Sequence, residues 1–238
     1  MSVTGIYMVG GAVRDQFLGV KNKDIDFSVE ASSYEAMRDF IKRHGKIYLE
    51  KPEYLTIRAR LNNLEGFTGD ADFVLCRREG AYTDGRRPDV VYHGTIYDDL
   101  ARRDFTVNAI AMQIYPCTEG LTYIDPFHGI ADIGARYLRC VGDPRERFAE
   151  DALRMIRALR FSVMKGMQID PTIQRLLDDD RYVELLRTNI SMDRKKDELL
   201  KMFKYSTIQT LDILSEFPKI QYAVFGTGEL WLEPTNRK

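Results

Sequence analysis

The 238-residue chain holds only three cysteines, three histidines and one tryptophan. Cys76, Cys117 and Cys140 stand far apart with no Cys-x-x-Cys pair, which excludes a zinc knuckle or dithiol redox site and leads us to expect reduced thiols in a cytoplasmic setting. His44, His93 and His128 show neither the i, i+4 spacing of a zinc helix nor a Ser or Cys motif beside them, so imidazole-driven catalysis is set aside. No run approaches the roughly 18 apolar residues of a membrane span, and Met1-Ser2-Val3-Thr4 lacks the basic-then-apolar order of a signal peptide. Charge of one sign is missing too: 35 Lys+Arg against 36 Asp+Glu give a formal net charge of -1. Bulk charge therefore does not announce a nucleic-acid partner, although a local basic stripe fits within a balanced total.

What is present is an ordinary globular mixture, 44% hydrophobic and 30% charged, in a chain long enough for one large domain or two modest ones. The first part alternates strand and helix patterns: Ile6 to Val9, a helical Val13 to Leu18, an alternating Asp24 to Val29, a helical Ser32 to Arg43. Strand patterns follow at Tyr54 to Leu61, Asp72 to Cys76, Ala109 to Tyr115 and Tyr137 to Val141, without long crossover helices between the middle ones. A mixed, partly antiparallel sheet in an α+β fold is expected. Arg77 to Val91, charged and turn-rich, reads as an exposed loop. After Gly142-Asp143-Pro144 the pattern is helical, starting with Phe148, Ala152, Met155, Ile156, Leu159 and Val163 on one face. Asp170-Pro171 and Ser191 read as helix starts. The expected domains are residues 1–143, a helical 144–225, and a tail at 226–238.

The chemistry concentrates first in Gly10-Gly11-Ala12-Val13-Arg14-Asp15. Two glycines between strand and helix let backbone approach a phosphate, and Arg14 with the helix N-terminus adds positive potential. Asp24 and Asp26, at i and i+2 on a strand, share a face and offer the hard oxygen ligands that suit Mg²⁺. Either motif alone has a bland reading, a turn or a solvated acid pair. Together they fit a nucleoside triphosphate held through its metal. Asp72, opening a β-like run, is the candidate third acid of a two-metal site, with Asp70 the competing choice. Arg102-Arg103-Asp104 and Asn108 supply donors and acceptors for ribose hydroxyls and phosphates, or else a helix cap with ion pairs. On a helix starting near Arg147, Glu150, Asp151, Arg154 and Arg157 lie off the apolar stripe, with Asp151 and Arg154 neighbours at i, i+3. They form a surface salt bridge or a pair able to address a nucleotide base.

These motifs together resemble the class II tRNA nucleotidyltransferases, the family of CCA-adding enzymes and bacterial poly(A) polymerases. The first motif is Gly10 to Asp15 with Asp24 and Asp26, and the third-acid strand runs from Asp72 through Arg77-Arg78-Glu79. Tyr82 to Pro88 resembles the flexible loop, Arg102 to Ala109 the ribose motif, Asp125-Pro126-Phe127 with Gly129 the head-to-neck element, and Glu150-Asp151 with Arg154 the base-reading motif. The resemblance implies a polymerase-β-type head followed by an all-α neck. It implies metal binding by Asp24 and Asp26, with Asp72 activating the RNA 3′-hydroxyl. Gly10, Gly11 and Arg14 would hold the triphosphate, while Asp104 and Asn108, with Arg103 nearby, would face the ribose. Asp151 and Arg154 would pair with CTP or ATP, and Arg157 would contact phosphate or base. The uninterrupted Tyr82 to Pro88 loop favours full CCA addition to the tRNA acceptor end over CC-only addition. An A-adding or poly(A) enzyme, a non-catalytic RNA-binding module and a small-molecule or protein nucleotidyltransferase are the alternatives. Asp193 stands where the family commonly has Glu. Family members continue into body and tail domains that grip tRNA. Here the grip would fall to Arg187, Arg194, Lys195, Lys196, Lys201 and Lys204, to a second subunit, or to a helper.

Overall fold

The structure is a computed structural model, and it describes residues 2–21, 24–79, 91–116 and 120–226. The described residues fall into two compact units, one ending at Ala135 and the other starting at Arg136.

The first unit contains β1 (Val3–Val9), α1 (Gly11–Phe17), β2 (Asp26–Ala31), α2 (Tyr34–His44), β3 (Gly45–Lys51), β4 (Thr56–Leu64), β5 (Phe67–Leu75), β6 (Arg77–Glu79), β7 (Val91–His93), α3 (Ile96–Ala101), β8 (Ala111–Tyr115), β9 (Tyr123–Ile124) and α4 (Gly129–Gly134). Among the described residues the main sheet runs β3-β4-β5-β2-β1-β8-β9, with β2 and β5 parallel and the other neighbours antiparallel. The mixed sheet expected from sequence is therefore present.

Strand alternation decides the two faces. In β4, Ile57, Ala59 and Leu61 are buried while Arg58 and Arg60 point outward. Phe27 and Phe73, in register on β2 and β5, stack with centroids 5.1 Å apart, and Phe67 meets Phe27 edge-on at 5.0 Å. α2 packs on this apolar side with Met37, Phe40 and Ile41, its start capped by Ser33, which accepts from the Ala36 N–H at 3.1 Å. Phe27 and Phe73 are fully buried, and each contributes about 1.5–3 kcal/mol by burial. α3 covers part of the other face, starting at a Thr95–Asp98 capping box.

Three expectations change here. β2 begins at Asp26, so Asp24 precedes the strand and does not lie within it. Asp72 lies well inside β5, between β4 and β2, and neither opens the strand nor sits at a sheet edge, because pairing with β4 extends the strand back to Phe67 while pairing with β2 starts at Asp72. The expected loop is shorter, since Arg77–Glu79 pairs antiparallel with Val91–His93; Tyr82 to Pro88 lies outside the described residues.

The second unit holds β10 (Tyr137–Leu138), α5 (Pro144–Glu150), α6 (Leu153–Lys165), β11 (Gln168–Ile169), α7 (Pro171–Leu177), α8 (Asp180–Asn189), α9 (Met192–Tyr205), α10 (Thr207–Glu216) and α11 (Pro218–Phe225). The parallel pairing of β10 with β11 ties residues 136–143 to the helices, so the unit starts before the break read at residue 143. Asp170 caps α7 through the Thr172 N–H at 2.7 Å, with Pro171 in the first turn. The apolar stripe from Phe148 to Val163 belongs to two helices. The chain is extended at Asp151 (φ -151°, ψ 98°), which ends α5 before α6 begins. Residues 227–238, most of the expected tail, lie outside the described residues.

Candidate active site

A single rung of the main sheet assembles the acids. Leu49, Arg58, Asp72, Asp26 and Val9 are successive partners across β3, β4, β5, β2 and β1. Parallel register thus sets Asp26 beside Asp72 on one face, with Arg58 Nε 3.8 Å from Asp72 Oδ1. Asp70 shares that face one pair further along and meets Arg60 at 3.6 Å, so Asp72, and not Asp70, stands level with Asp26. Removal from water, then the Asp72 carboxylate, push the Asp26 carboxyl above its ordinary range. Arg103 and Arg58 pull it back and Asp24 adds to the rise. Asp24 therefore acts on Asp26 through its charge from the segment before the strand.

This donor set fits a divalent ion of the Mg²⁺ type: two hard carboxylates side by side whose mutual repulsion a cation relieves. Among the described residues no group of three or more His, Cys, Asp or Glu is gathered closely enough to hold an ion. The structure thus supplies a carboxylate pair where a three-acid cage was expected.

Val9, the β1 partner of Asp26, leads directly into Gly10. Gly10 has φ 67° and ψ -130°, a region open to glycine alone, and a Cβ there would stand 3.0 Å from Arg103 Nη1. Arg103 is the cation presented at the turn. Its Nη1 donates to the Asn108 carbonyl at 3.3 Å and its Nη2 to Asp99 at 2.9 Å. Asp99, fully buried, also accepts from Ser28 Oγ at 2.8 Å and Arg102 Nε at 3.0 Å. Burial would raise the Asp99 carboxyl, but Arg103, Arg102 and Ser28 outweigh it and hold the group well below the usual carboxylate range.

Arg14 is placed differently from the expectation. It is buried and spends its guanidinium on Asp15 at 2.9 Å and on Asn108 Oδ1, while Asn108 Nδ2 donates to Asp104 Oδ1 at 2.9 Å. Asp104 also accepts from the Phe105 N–H at 2.8 Å. Arg14, Asp104 and Asn108 thus form a buried network behind the turn, with Gly11 opening α1 above it.

In the helical unit the side chains of Asp151 and Arg154 do not pair, although the Arg154 N–H donates to the Asp151 carbonyl at 3.1 Å. Asp151 accepts from the Leu153 N–H at 3.1 Å, capping α6, and takes Arg194 Nη2 at 2.7 Å and Nη1 at 3.3 Å. Arg154 bonds Glu150 at 2.9 Å and the Arg147 carbonyl at 3.1 Å. The extended backbone at Asp151 sets its carboxylate on the Leu153 N–H instead of on the helix face that Arg154 occupies. Arg157 lies 3.8 Å from Glu198, which also binds Arg160 and Lys201, at 3.0 Å for the latter. Arg187, Lys201 and Lys204 are exposed and Lys196 is half-buried, but Lys195 is 1% exposed and its ammonium donates to the Arg187 carbonyl at 3.1 Å. Lys195 is therefore a structural cation and is withdrawn from the RNA-facing set.

Sequence reasoning missed Arg58, Asp99 and the Arg194 partner of Asp151. The i, i+3 and i, i+4 spacing of Asp99 to Arg102 and Arg103 is a visible helical signal. Arg58 and Arg194 become visible only once register and helix packing are known.

Residues 6–139 match the model of the Poly A polymerase head domain family. The chain is 40% identical to the CCA-adding enzyme of Levilactobacillus brevis over 197 residues, covering 82% of this chain and 45% of that protein. It is 36% identical to that of Bacillus velezensis over 214 residues, 85% and 47% respectively. Among solved structures, the Bacillus stearothermophilus CCA-adding enzyme in complex with CTP superposes with a TM-score of 0.76 at 30% identity, over 94% of this chain and 50% of that one. A tRNA nucleotidyltransferase complexed with a primer tRNA and an incoming ATP analog gives 0.76 at 26%, over 96% and 61%. The chain spans about half the length of the relatives it matches. A family model matched over more than half of the sequence, together with these relatives, shows that the chain belongs to the family of poly A polymerase head domains and CCA-adding enzymes.

Proposed function

We propose that the protein adds CCA to tRNA 3′ ends from CTP and ATP, by Mg²⁺-dependent attack of the RNA 3′-hydroxyl on the α-phosphate with release of pyrophosphate. The observation that carries this reading is the in-register pair Asp26 and Asp72, beside the Gly10 turn with Arg103 over it, in a chain of this family. A bound divalent ion supplies a lowered hydroxyl pKa and charge stabilisation at the phosphates. Asp26 and Asp72 would hold it, with Asp24 adding negative potential. Gly10 leaves space for a phosphate, and Arg103 offers a guanidinium to the triphosphate from a position set by Asp99. The buried Arg14–Asn108–Asp104 network keeps the following segment in place, and Asn108 with Asp104 would present polar edges to the ribose. Within the helical unit, Asp151 and Arg154 are the proposed base-reading side chains, the first aimed by Arg194 and the second by Glu150. Arg157, half-exposed, is a proposed phosphate contact.

The domain roles follow, with the boundary at residue 135 in place of 143: the sheet unit as the catalytic head and the helical unit from Arg136 as the base-reading neck. Incubating the protein with tRNA that ends at the discriminator base, with CTP, ATP or both, tests the reading. Two C additions from CTP alone and a completed CCA end with both triphosphates are expected. Incorporation from ATP alone, with CTP refused, would establish the A-adding alternative instead. No incorporation under any condition, with the protein folded, would leave the RNA-binding module.

A further inference from the structure

The proposed function uses Asp26 at the metal and Arg103 at the triphosphate, and it leaves a buried hydroxyl beside them without a role. Ser28 follows Asp26 by two residues on β2, so both side chains stand on one face of the sheet. Its neighbours across the sheet are Tyr7 of β1 and Val74 of β5, and it is 1% exposed. A buried hydroxyl costs free energy unless it is hydrogen-bonded, and alanine would fill this strand position without that cost.

Ser28 Oγ donates to Asp99 Oδ2 at 2.8 Å, and the same oxygen accepts from Arg103 Nη2 at 2.9 Å. The other oxygen, Oδ1, serves Arg102, whose Nε donates at 3.0 Å. Arg103 Nη2 also lies 3.4 Å from Ser28 Oγ, so hydroxyl, carboxylate oxygen and guanidinium nitrogen close a triangle. The rest of this guanidinium is loosely tied. Nη1 reaches the Asn108 carbonyl only at 3.3 Å, and Nε is buried with no hydrogen-bond partner among the described residues. Asp99 Oδ2 is therefore the short tether of Arg103, and a guanidinium so incompletely satisfied by protein is held ready for an anion at its open edge, where Nη1 lies over the Gly10 turn.

A carboxylate and a guanidinium prefer the two-bond fork, which would draw Arg103 fully onto Asp99. Ser28 stands in the way. Fully buried, it takes one acceptor position of Oδ2 and leaves the other to Arg103, whose side chain is 21% exposed. We propose that Ser28 is a positioning residue of the nucleotide site: by sharing Asp99 Oδ2 it keeps the Arg103 guanidinium out at the Gly10 turn, in place for the triphosphate. This rests on the reading of Arg103 as the triphosphate cation, and Ser28 itself touches no substrate. One strand then registers both charges that a metal-bound triphosphate meets, because β2 carries the acid and, two residues on, the hydroxyl that places the cation. Without the hydroxyl an acceptor position on Oδ2 is freed, and Arg103 relaxes inward onto it and away from the turn.

The test is isothermal titration of inorganic tripolyphosphate and of CTP in magnesium buffer, beside steady-state nucleotide incorporation. Ser28→Ala is expected to weaken both ligands by one factor, about tenfold, the scale of one hydrogen bond to a charged group. KM for CTP and for ATP should rise together by that factor while kcat stays within about twofold, the pattern of lost uniform binding. Ser28→Cys, with a weaker donor, should fall between variant and parent. In an Arg103→Ala background, Ser28→Ala should change tripolyphosphate affinity by less than about twofold, since its effect runs through that guanidinium. Thr210→Val is the control. It removes a fully buried hydroxyl of the helical unit, bonded to the Ser206 carbonyl at 2.7 Å, and should lower the thermal midpoint with tripolyphosphate affinity unchanged. Parent-like affinity in folded Ser28→Ala, a fall in kcat with KM unchanged, an undiminished effect in the Arg103→Ala background, or an equal loss in Thr210→Val would each overturn the proposal. A parent protein that does not bind tripolyphosphate would overturn it together with the reading of the turn. A protein that shows the Ser28 effect on tripolyphosphate but incorporates no nucleotide would sustain the positioning role and remove the transfer reading, so the two failures are distinguishable.

Discussion

The acid pair of the sheet unit and the acids of the helical unit meet charge in opposite ways. In the sheet unit, Asp26 and Asp72 face each other in register, and Asp26 is held above its ordinary range by desolvation and by that neighbour. In the helical unit the acids in the expected base-reading region are matched by arginines: Asp151 by Arg194, Glu150 by Arg147 and Arg154, Glu198 by Arg157, Arg160 and Lys201. An acid pair left facing itself costs stability and is a place for an arriving cation. Acids wrapped in guanidiniums hold donor forks at fixed angles, which suits recognition of a planar partner.

Neutralising the acid pair should have the largest effect. Asp26→Asn or Asp72→Asn is expected to lower nucleotide incorporation about 10³-fold, the loss of several kcal/mol of metal-mediated stabilisation at 1.36 kcal/mol per tenfold. Primer-extension rates would show it, with circular dichroism confirming the fold. If either variant kept parent-like rates, the contrast between a working pair and a structural set would fall.

The buried anchors should respond in stability. Glu198→Gln removes the carboxylate that Arg157 and Arg160 share, at a position 4% exposed, and Asp99→Asn removes the one shared by Arg102 and Arg103; each is expected to cost about 3–5 kcal/mol in urea unfolding. Burial would raise the Glu198 carboxyl, but Arg160 and Arg157, with Lys201, keep it below its ordinary value. Its contribution is therefore present above the ordinary carboxylate pKa and lost as pH falls through the lowered one, and acid titration of unfolding should show that loss vanish in Glu198→Gln.

Removing the guanidinium from Asp151 should matter less for stability and more for choice. Arg194→Ala, at a half-buried pair, is expected to cost about 1 kcal/mol and to alter the ratio of CMP to AMP incorporated. An unchanged ratio would mean that Asp151 is a helix cap only.

The smallest effect has the opposite sign. The Asp26 carboxyl is raised in the folded protein, so its contribution to stability is present at low pH and lost as pH rises through the folded pKa. Asp26→Asn should therefore be slightly more stable than the parent at neutral pH, with the difference disappearing below the ordinary aspartate range. Lower stability of this variant at neutral pH would contradict the repulsion between Asp26 and Asp72.

Composition and pattern determined much by themselves. Alternation in Thr56-Ile57-Arg58-Ala59-Arg60-Leu61 is a strand with one polar face, Asp170-Pro171 is a helix start, and Gly10-Gly11 is a turn from strand to helix. Each depends on residues close in sequence, whose local preferences act without the rest of the chain. Tertiary structure alone decided which acids meet. Asp26 and Asp72 lie far apart in sequence and become neighbours through one parallel register, and a slip of one residue would turn Asp72 to the other face. Tertiary structure also buried Arg14 and Lys195, which sequence presents as free cations, and it broke the helix at Asp151 so that Arg194 became that acid's partner in place of Arg154. Residue type sets what a side chain can bind. Its partner depends on strand pairing and helix packing, which are long-range choices that no short window of sequence contains.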